Sequence, residues 1–96
     1  MTQDNQSSLK EALKAMIEHY KLKGKLNQNR IKTAWAKLMG PTINNYTRDI
    51  RLSGNKLYLS IESAPLRQEL SMGKDKIAKM LNEYLEEDCI QEVIVR

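Results

Sequence analysis

The hydrophobic positions near the start of the chain fall on a single helical stripe. Leu9, Ala12, Leu13, Met16, Ile17 and Tyr20 follow the three- and four-residue spacing of an amphipathic helix without a miss. Ser7 or Ser8 can cap its start, and Gly24 is expected to close it as the glycine just beyond the last turn. After a short polar link, Asn27 is expected to cap a second helix with Ile31, Ala34, Trp35, Leu38 and Met39 on one face. Gly40-Pro41 punctuates its end, with one further turn available over Thr42 to Asn45.

The period then drops to two. Arg48, Ile50 and Leu52 alternate with Thr47, Asp49, Arg51 and Ser53, and Leu57, Leu59 and Ile61 alternate with Tyr58, Ser60 and Glu62. Gly54-Asn55 between them suits a type II′ hairpin turn with glycine first. Pairing Ser53 with Lys56 across it sets Leu52 opposite Leu57, Ile50 opposite Leu59, Arg51 opposite Tyr58 and Thr47 opposite Glu62. That register gives the hairpin one apolar and one wet face.

Ala64-Pro65 opens a third helix, proline being tolerated in a first turn. Its apolar positions are Leu66, Leu70, Ile77, Leu81 and Tyr84, with Met80 and Leu85 beside them, and Gly73 is read as a close-approach point inside one long helix. A kink or two shorter helices is the alternative. A last strand is expected from Cys89, Gln91, Val93 and Val95, alternating with Ile90, Glu92 and Ile94. The order α-α-β-β-α-β predicts a two-layer α+β domain. Its three-stranded mixed sheet carries helices on one face, and the last strand lies parallel to the second by a right-handed crossover. A flexible segment over residues 1–7 leading into one domain over residues 8–96 is the expected organisation.

Composition bounds this picture. Ninety-six residues suit one domain with a thin core. Phe is absent and Trp35 is the single tryptophan, so Leu, Ile, Met and Val must build that core. One cysteine, Cys89, permits neither an internal disulfide nor a cysteine-cluster zinc site. No signal sequence or membrane-length apolar run is evident, so a cytoplasmic location away from the membrane is expected.

The net charge of +4 is unevenly spread. Residues 1–40 hold eight Lys/Arg against three Asp/Glu, whereas residues 64–96 hold five against seven. A basic front and an acidic rear imply two surfaces with different partners; the bland alternative is a solubilising mixture.

No catalytic constellation can be assembled. His19 is a lone histidine beside the first stripe, Cys89 reads as a structural thiol, and Glu83, Glu86, Glu87 and Asp88 read as a solvated acidic face. Phosphate-loop, dinucleotide and zinc-protease motifs are missing. The expectation is a binding module with no catalytic residue, metal, cofactor or small-molecule substrate.

Basic residues carry the positive expectation. Lys21, Lys23, Lys25, Arg30 and Lys32 surround the first interhelical link, with Lys10, Lys14 and Lys37 on the flanking helices. Converging there, they would give weak, salt-sensitive nucleic-acid binding. On the wet face of the sheet, Arg51 beside Tyr58 offers one stacking platform with a neighbouring cation. Trp35, on the apolar stripe, reads as core.

Three stretches carry a family likeness: Trp35-Ala-Lys-Leu-Met-Gly40-Pro41-Thr-Ile43, Asn55-Lys-Leu57-Tyr-Leu59-Ser-Ile61-Glu-Ser63-Ala-Pro65-Leu66-Arg67-Gln-Glu69-Leu70, and Val93-Ile-Val95-Arg96. In this order they resemble the DciA family, in a short form like those of Bacteroides-type bacteria, over about residues 9–96. The resemblance implies a KH-like fold, a role in bacterial chromosome replication, association with the replicative helicase and help in placing it on DNA, and DNA binding. Zinc-ribbon features described for some relatives have no counterpart here, and the G-x-x-G loop of true KH domains is absent. A protein adaptor that never touches nucleic acid and an RNA-binding module remain the alternative readings.

Overall fold

The computed structural model describes the backbone of residues 2–96 and the side chains of residues 8–96. The flexible segment expected over residues 1–7 lies outside these fully described residues. The elements are α1 (Thr2–Tyr46), β1 (Thr47–Ser53), β2 (Lys56–Ile61), α2 (Ala64–Met72), α3 (Lys74–Leu85) and β3 (Glu92–Val95). The architecture is the expected α+β one, with a three-stranded sheet ordered β1-β2-β3. β1 and β2 pair antiparallel, and β3 runs parallel to β2.

Gly24 does not end a helix. The helix passes straight through it, and the interruption falls at Gly40 instead. A glycine signals a helix end only where the backbone takes a positive φ. Gly40 does, at φ 84° and ψ 171°, a region essentially restricted to glycine. Pro41 follows at the start of the short helical segment that closes α1, where its missing N–H is not needed. Two leading helical segments therefore exist, but their boundary is Gly40. Asn27 consequently caps nothing; it lies mid-helix and is buried.

The core is a single cluster. Ile31, Ala34 and Trp35 of α1 are fully buried, against Ile50, Leu57, Leu59, Ile61 and Val93 of the sheet and Leu70, Ile77, Leu81 and Leu85 of the later helices. Each large apolar side chain so enclosed contributes about 1.5–3 kcal/mol. Trp35 has the core role read for it, and its ring nitrogen still finds a partner. Trp35 Nε1 donates to Thr47 Oγ1 at 2.9 Å, and that hydroxyl donates to the Ile43 carbonyl at 2.8 Å. This relay fastens the segment after Gly40 back onto the rod before it.

The hairpin register holds from Ser53↔Lys56 to Asp49↔Ser60 and then shifts, so Thr47 faces Ile61 instead of Glu62. One extra residue on β1 produces a bulge, and the Glu62 amide donates to the Tyr46 carbonyl at 2.9 Å. Gly54 takes φ 62°, as a type II′ first position requires.

The third helix is two. Ser63 caps α2, its hydroxyl accepting from the Leu66 amide at 3.3 Å, and Gly73 separates α2 from α3. No close approach explains Gly73, because an added Cβ would meet only the Leu70 carbonyl oxygen at 3.9 Å. Within α3 the buried face runs through Ile77, Leu81 and Leu85, so Leu85 is buried and Tyr84 exposed, the reverse of the expected placing.

β3 starts at Glu92, three residues later than read. Asn82 holds the preceding loop, donating from Nδ2 to the Ile90 carbonyl at 2.7 Å and accepting from the Ile90 amide at 3.0 Å. This clamp turns Ile90 into the core instead of onto the wet face.

Candidate nucleic-acid interface

A continuous α1 distributes its cations by helical geometry alone. Lys10, Lys14, Lys21, Lys25 and Lys32 recur at intervals of four and seven, which keeps them on one side of a rod turning about 100° per residue. Lys23, Arg30 and Lys37 recur at intervals of seven on the opposite side. The eight residues singled out for nucleic acid therefore do not form one surface. Lys21, Lys25 and Lys32 share a flank; Lys23, Arg30 and Lys37 face away from it; Arg51 and Tyr58 lie on the sheet.

The second flank is engaged within the fold. Lys23 Nζ lies 3.0 Å from Glu87, and Arg30 Nη1 lies 3.5 Å from the other oxygen of the same carboxylate. Arg30 also donates to the Leu85 carbonyl at 2.9 Å and to Asn27 Oδ1 at 3.4 Å. Hydrogen bonding to Glu87 raises the Lys23 ammonium above its ordinary pKa, and the same bond holds the Glu87 carboxyl below its own. So Glu87, one member of the acidic cluster, ties α1 to the end of α3. Glu83, Glu86 and Asp88 line an open groove beside it.

The first flank has no such ties. Among the described residues, none of Lys10, Lys14, Lys21, Lys25 and Lys32 joins an ion pair, and all five are exposed. From Lys10 to Lys32 the row runs about 33 Å at 1.5 Å per residue. Glu11 and Glu18 stand farther round the same side, leaving the strip net positive.

On the sheet, Arg51 does face Tyr58. The tyrosine ring is already covered, however, because the Arg96 guanidinium stacks 4.8 Å from its centroid. That face is no open stacking platform. A cationic cleft at the bulged end of the hairpin went unread in the sequence: Arg48, Arg67 and Arg96 line it together with Asp49 and Glu62. Arg67 donates from Nη2 to the Ile61 carbonyl at 2.7 Å, and its Nε is buried with no partner. The bulge that gathers these residues is the same register shift that alternation could not foresee.

The remaining chemistry is sparse. His19 is exposed. Cys89 is half-buried, and burial pushes its thiol pKa up, away from nucleophile behaviour. No group of His, Cys, Asp or Glu suited to a metal occurs among the described residues. Within them, no helix is long and apolar enough to cross a membrane.

No curated protein and no solved structure matches the chain. The family model described as "Dna[CI] antecedent, DciA" matches residues 8–95, a span that takes in the α1 rod, the sheet and both later helices. The chain belongs to the DciA family, a family associated with loading of the replicative helicase.

Proposed function

We propose that the chain is a non-enzymatic accessory of DNA replication that binds nucleic acid weakly and docks to the replicative helicase. The observation that carries the nucleic-acid half is the exposed lysine row from Lys10 to Lys32, which no carboxylate among the described residues neutralises at ion-pair distance. A straight, flexible-tipped cationic edge meets successive phosphates without reading bases, so its affinity is sequence-tolerant and salt-sensitive. Family membership supports the helicase half and a cytoplasmic place of work. A KH-like topology without a G-x-x-G loop favours contact through the helix over strand-face reading of RNA.

Fluorescence anisotropy with labelled single-stranded and duplex DNA at rising salt tests this reading. Five contacts predict a slope of log K against log salt of about −3.5 for single strands and about −4.5 for duplex. The variant Lys14→Glu/Lys21→Glu/Lys25→Glu is expected to abolish binding, and Lys37→Glu on the opposite side to leave it nearly intact. The engagement of Lys23 and Arg30 by Glu87 favours a second reading, a protein adaptor with no nucleic-acid role. Unchanged binding by the triple variant refutes the row, and no measurable DNA affinity in the unaltered protein selects the adaptor.

A further inference from the structure

The front of α1 leaves the sheet behind and carries its apolar stripe into solvent. Leu9, Leu13, Met16, Ile17 and Tyr20 are between 48% and 64% exposed, although they continue the same helical face as Ile31 and Trp35, which are fully buried. Leu22 and Leu26 are also exposed, but on a separate face, with His19 and Lys23 between the two. At about 100° per residue, the stripe from Met16 to Ile17 spans a little under a third of the helix circumference. One polar side of the rod holds Lys10, Lys14, Lys21 and Lys25 with Glu11 and Glu18.

We infer that this stripe is the docking face for a helix-receiving apolar groove with an acidic lip on a protein partner, and that the lysine strip stays open to nucleic acid while the groove is filled. The inference rests on the helicase-docking reading above and names its surface. Three features select the occupant. Leu9, Leu13, Met16 and Tyr20 stand at the i, i+4, i+7 and i+11 positions by which a helix lays one face into an apolar groove. Lys10 and Lys21 border the edge of the stripe next to Ile17, so the lip that meets that edge is acidic. A second copy fits poorly. Parallel pairing along this face runs into the protein's own sheet under residues 27–35, and antiparallel pairing sets lysine edge against lysine edge.

The test measures two affinities of the full chain, for the purified replicative helicase of the same cell and for a single-stranded oligonucleotide. The neutral pair Leu13→Gln/Ile17→Gln removes apolar contact at exposed positions without changing charge, and circular dichroism checks that the fold persists. It is expected to weaken helicase binding at least about 50-fold, the scale of losing two anchor residues, while DNA affinity stays within about twofold. The pair Lys14→Glu/Lys25→Glu is expected to do the reverse. Helicase binding that survives Leu13→Gln/Ile17→Gln overturns the surface but leaves the docking reading standing; no helicase binding by the unaltered protein overturns both. Light scattering that shows a dimer dissolved by the same pair assigns the stripe to a second copy and overturns the inference. Co-sedimentation with phosphatidylglycerol vesicles, lost in that pair, assigns it to a membrane surface with the same consequence.

Discussion

The front and rear halves of α1 carry the same kind of apolar stripe on the same face and meet opposite fates. In the rear, Ile31, Ala34 and Trp35 are fully buried. In the front, Leu9 and Tyr20 are more than 60% exposed. Periodicity reports that a helix has an apolar side and is silent about what covers it. Length decides the matter. Residues 9–39 in a straight rod reach about 45 Å at 1.5 Å each, whereas a six-residue strand spans about 20 Å. The sheet can roof only one half, and the molecule accordingly measures 63 × 23 × 20 Å. The exposed half still holds its helix because it propagates from an anchored one and bears no nucleation cost.

The largest separation between the halves should appear in stability. Ile31→Ala is expected to lose about 2–5 kcal/mol, since it opens a cavity at a fully buried site. Leu13→Ala is expected to stay within about 0.5 kcal/mol of the unaltered protein. Urea titrations followed by the fluorescence of Trp35, itself in the rear half, measure both. Equal losses would mean that the front stripe is covered in solution. Gly40→Ala comes next, at about 1–3 kcal/mol, because alanine strains at φ 84°. Its loss should come with weakened docking of the segment that Thr47 ties to Trp35.

The hairpin was legible because its information is local: two alternating runs, and a glycine placed first in a two-residue turn, fix register and face together. The parallel third strand and the Trp35 core followed from the same bookkeeping of periods. Gly24, Gly40 and Gly73 show where such reading stops. Gly24 and Gly40 read as helix ends and Gly73 as the interior of one, but only the backbone reveals that the first is an ordinary helical residue, the second takes a conformation open essentially to glycine and the third parts two helices. The candidate site inherited that ambiguity. A break at Gly24 would have gathered Lys21, Lys23, Lys25, Arg30 and Lys32 around a link; a continuous rod divides them. Long-range partners, such as Glu87 on Lys23 and Arg96 on Tyr58, leave no trace in spacing at all.

Gly24→Ala probes that division directly. The glycine has ordinary helical backbone and open space where a Cβ would stand, so alanine should stabilise the protein by about 0.5–1 kcal/mol. A glycine closing a helix at positive φ would give the opposite sign. A stabilised variant with unchanged DNA affinity therefore supports a rod that runs through residue 24, and a destabilised one restores the link.

The smallest effect concerns the engaged flank. Glu87→Gln should release Lys23 and Arg30 from the end of α3, lowering stability modestly while leaving DNA binding nearly intact, because both cations face away from the lysine row. The pH dependence carries the sharper signature. The Glu87 carboxyl is held below its ordinary pKa, chiefly by its hydrogen bond to Lys23. Its contribution is therefore complete above the unfolded carboxylate pKa and is lost as pH falls through the lowered folded value. Lys23 is raised, so its side of the pair persists until pH climbs through that raised value. Between those limits the unaltered protein and Glu87→Gln should differ in stability, measured by urea titration across that range. Below the folded pKa of Glu87 the two should converge, since protonation then does what the substitution does. A difference that survives at acid pH would show that Glu87 acts on stability by some route other than restraining these two cations.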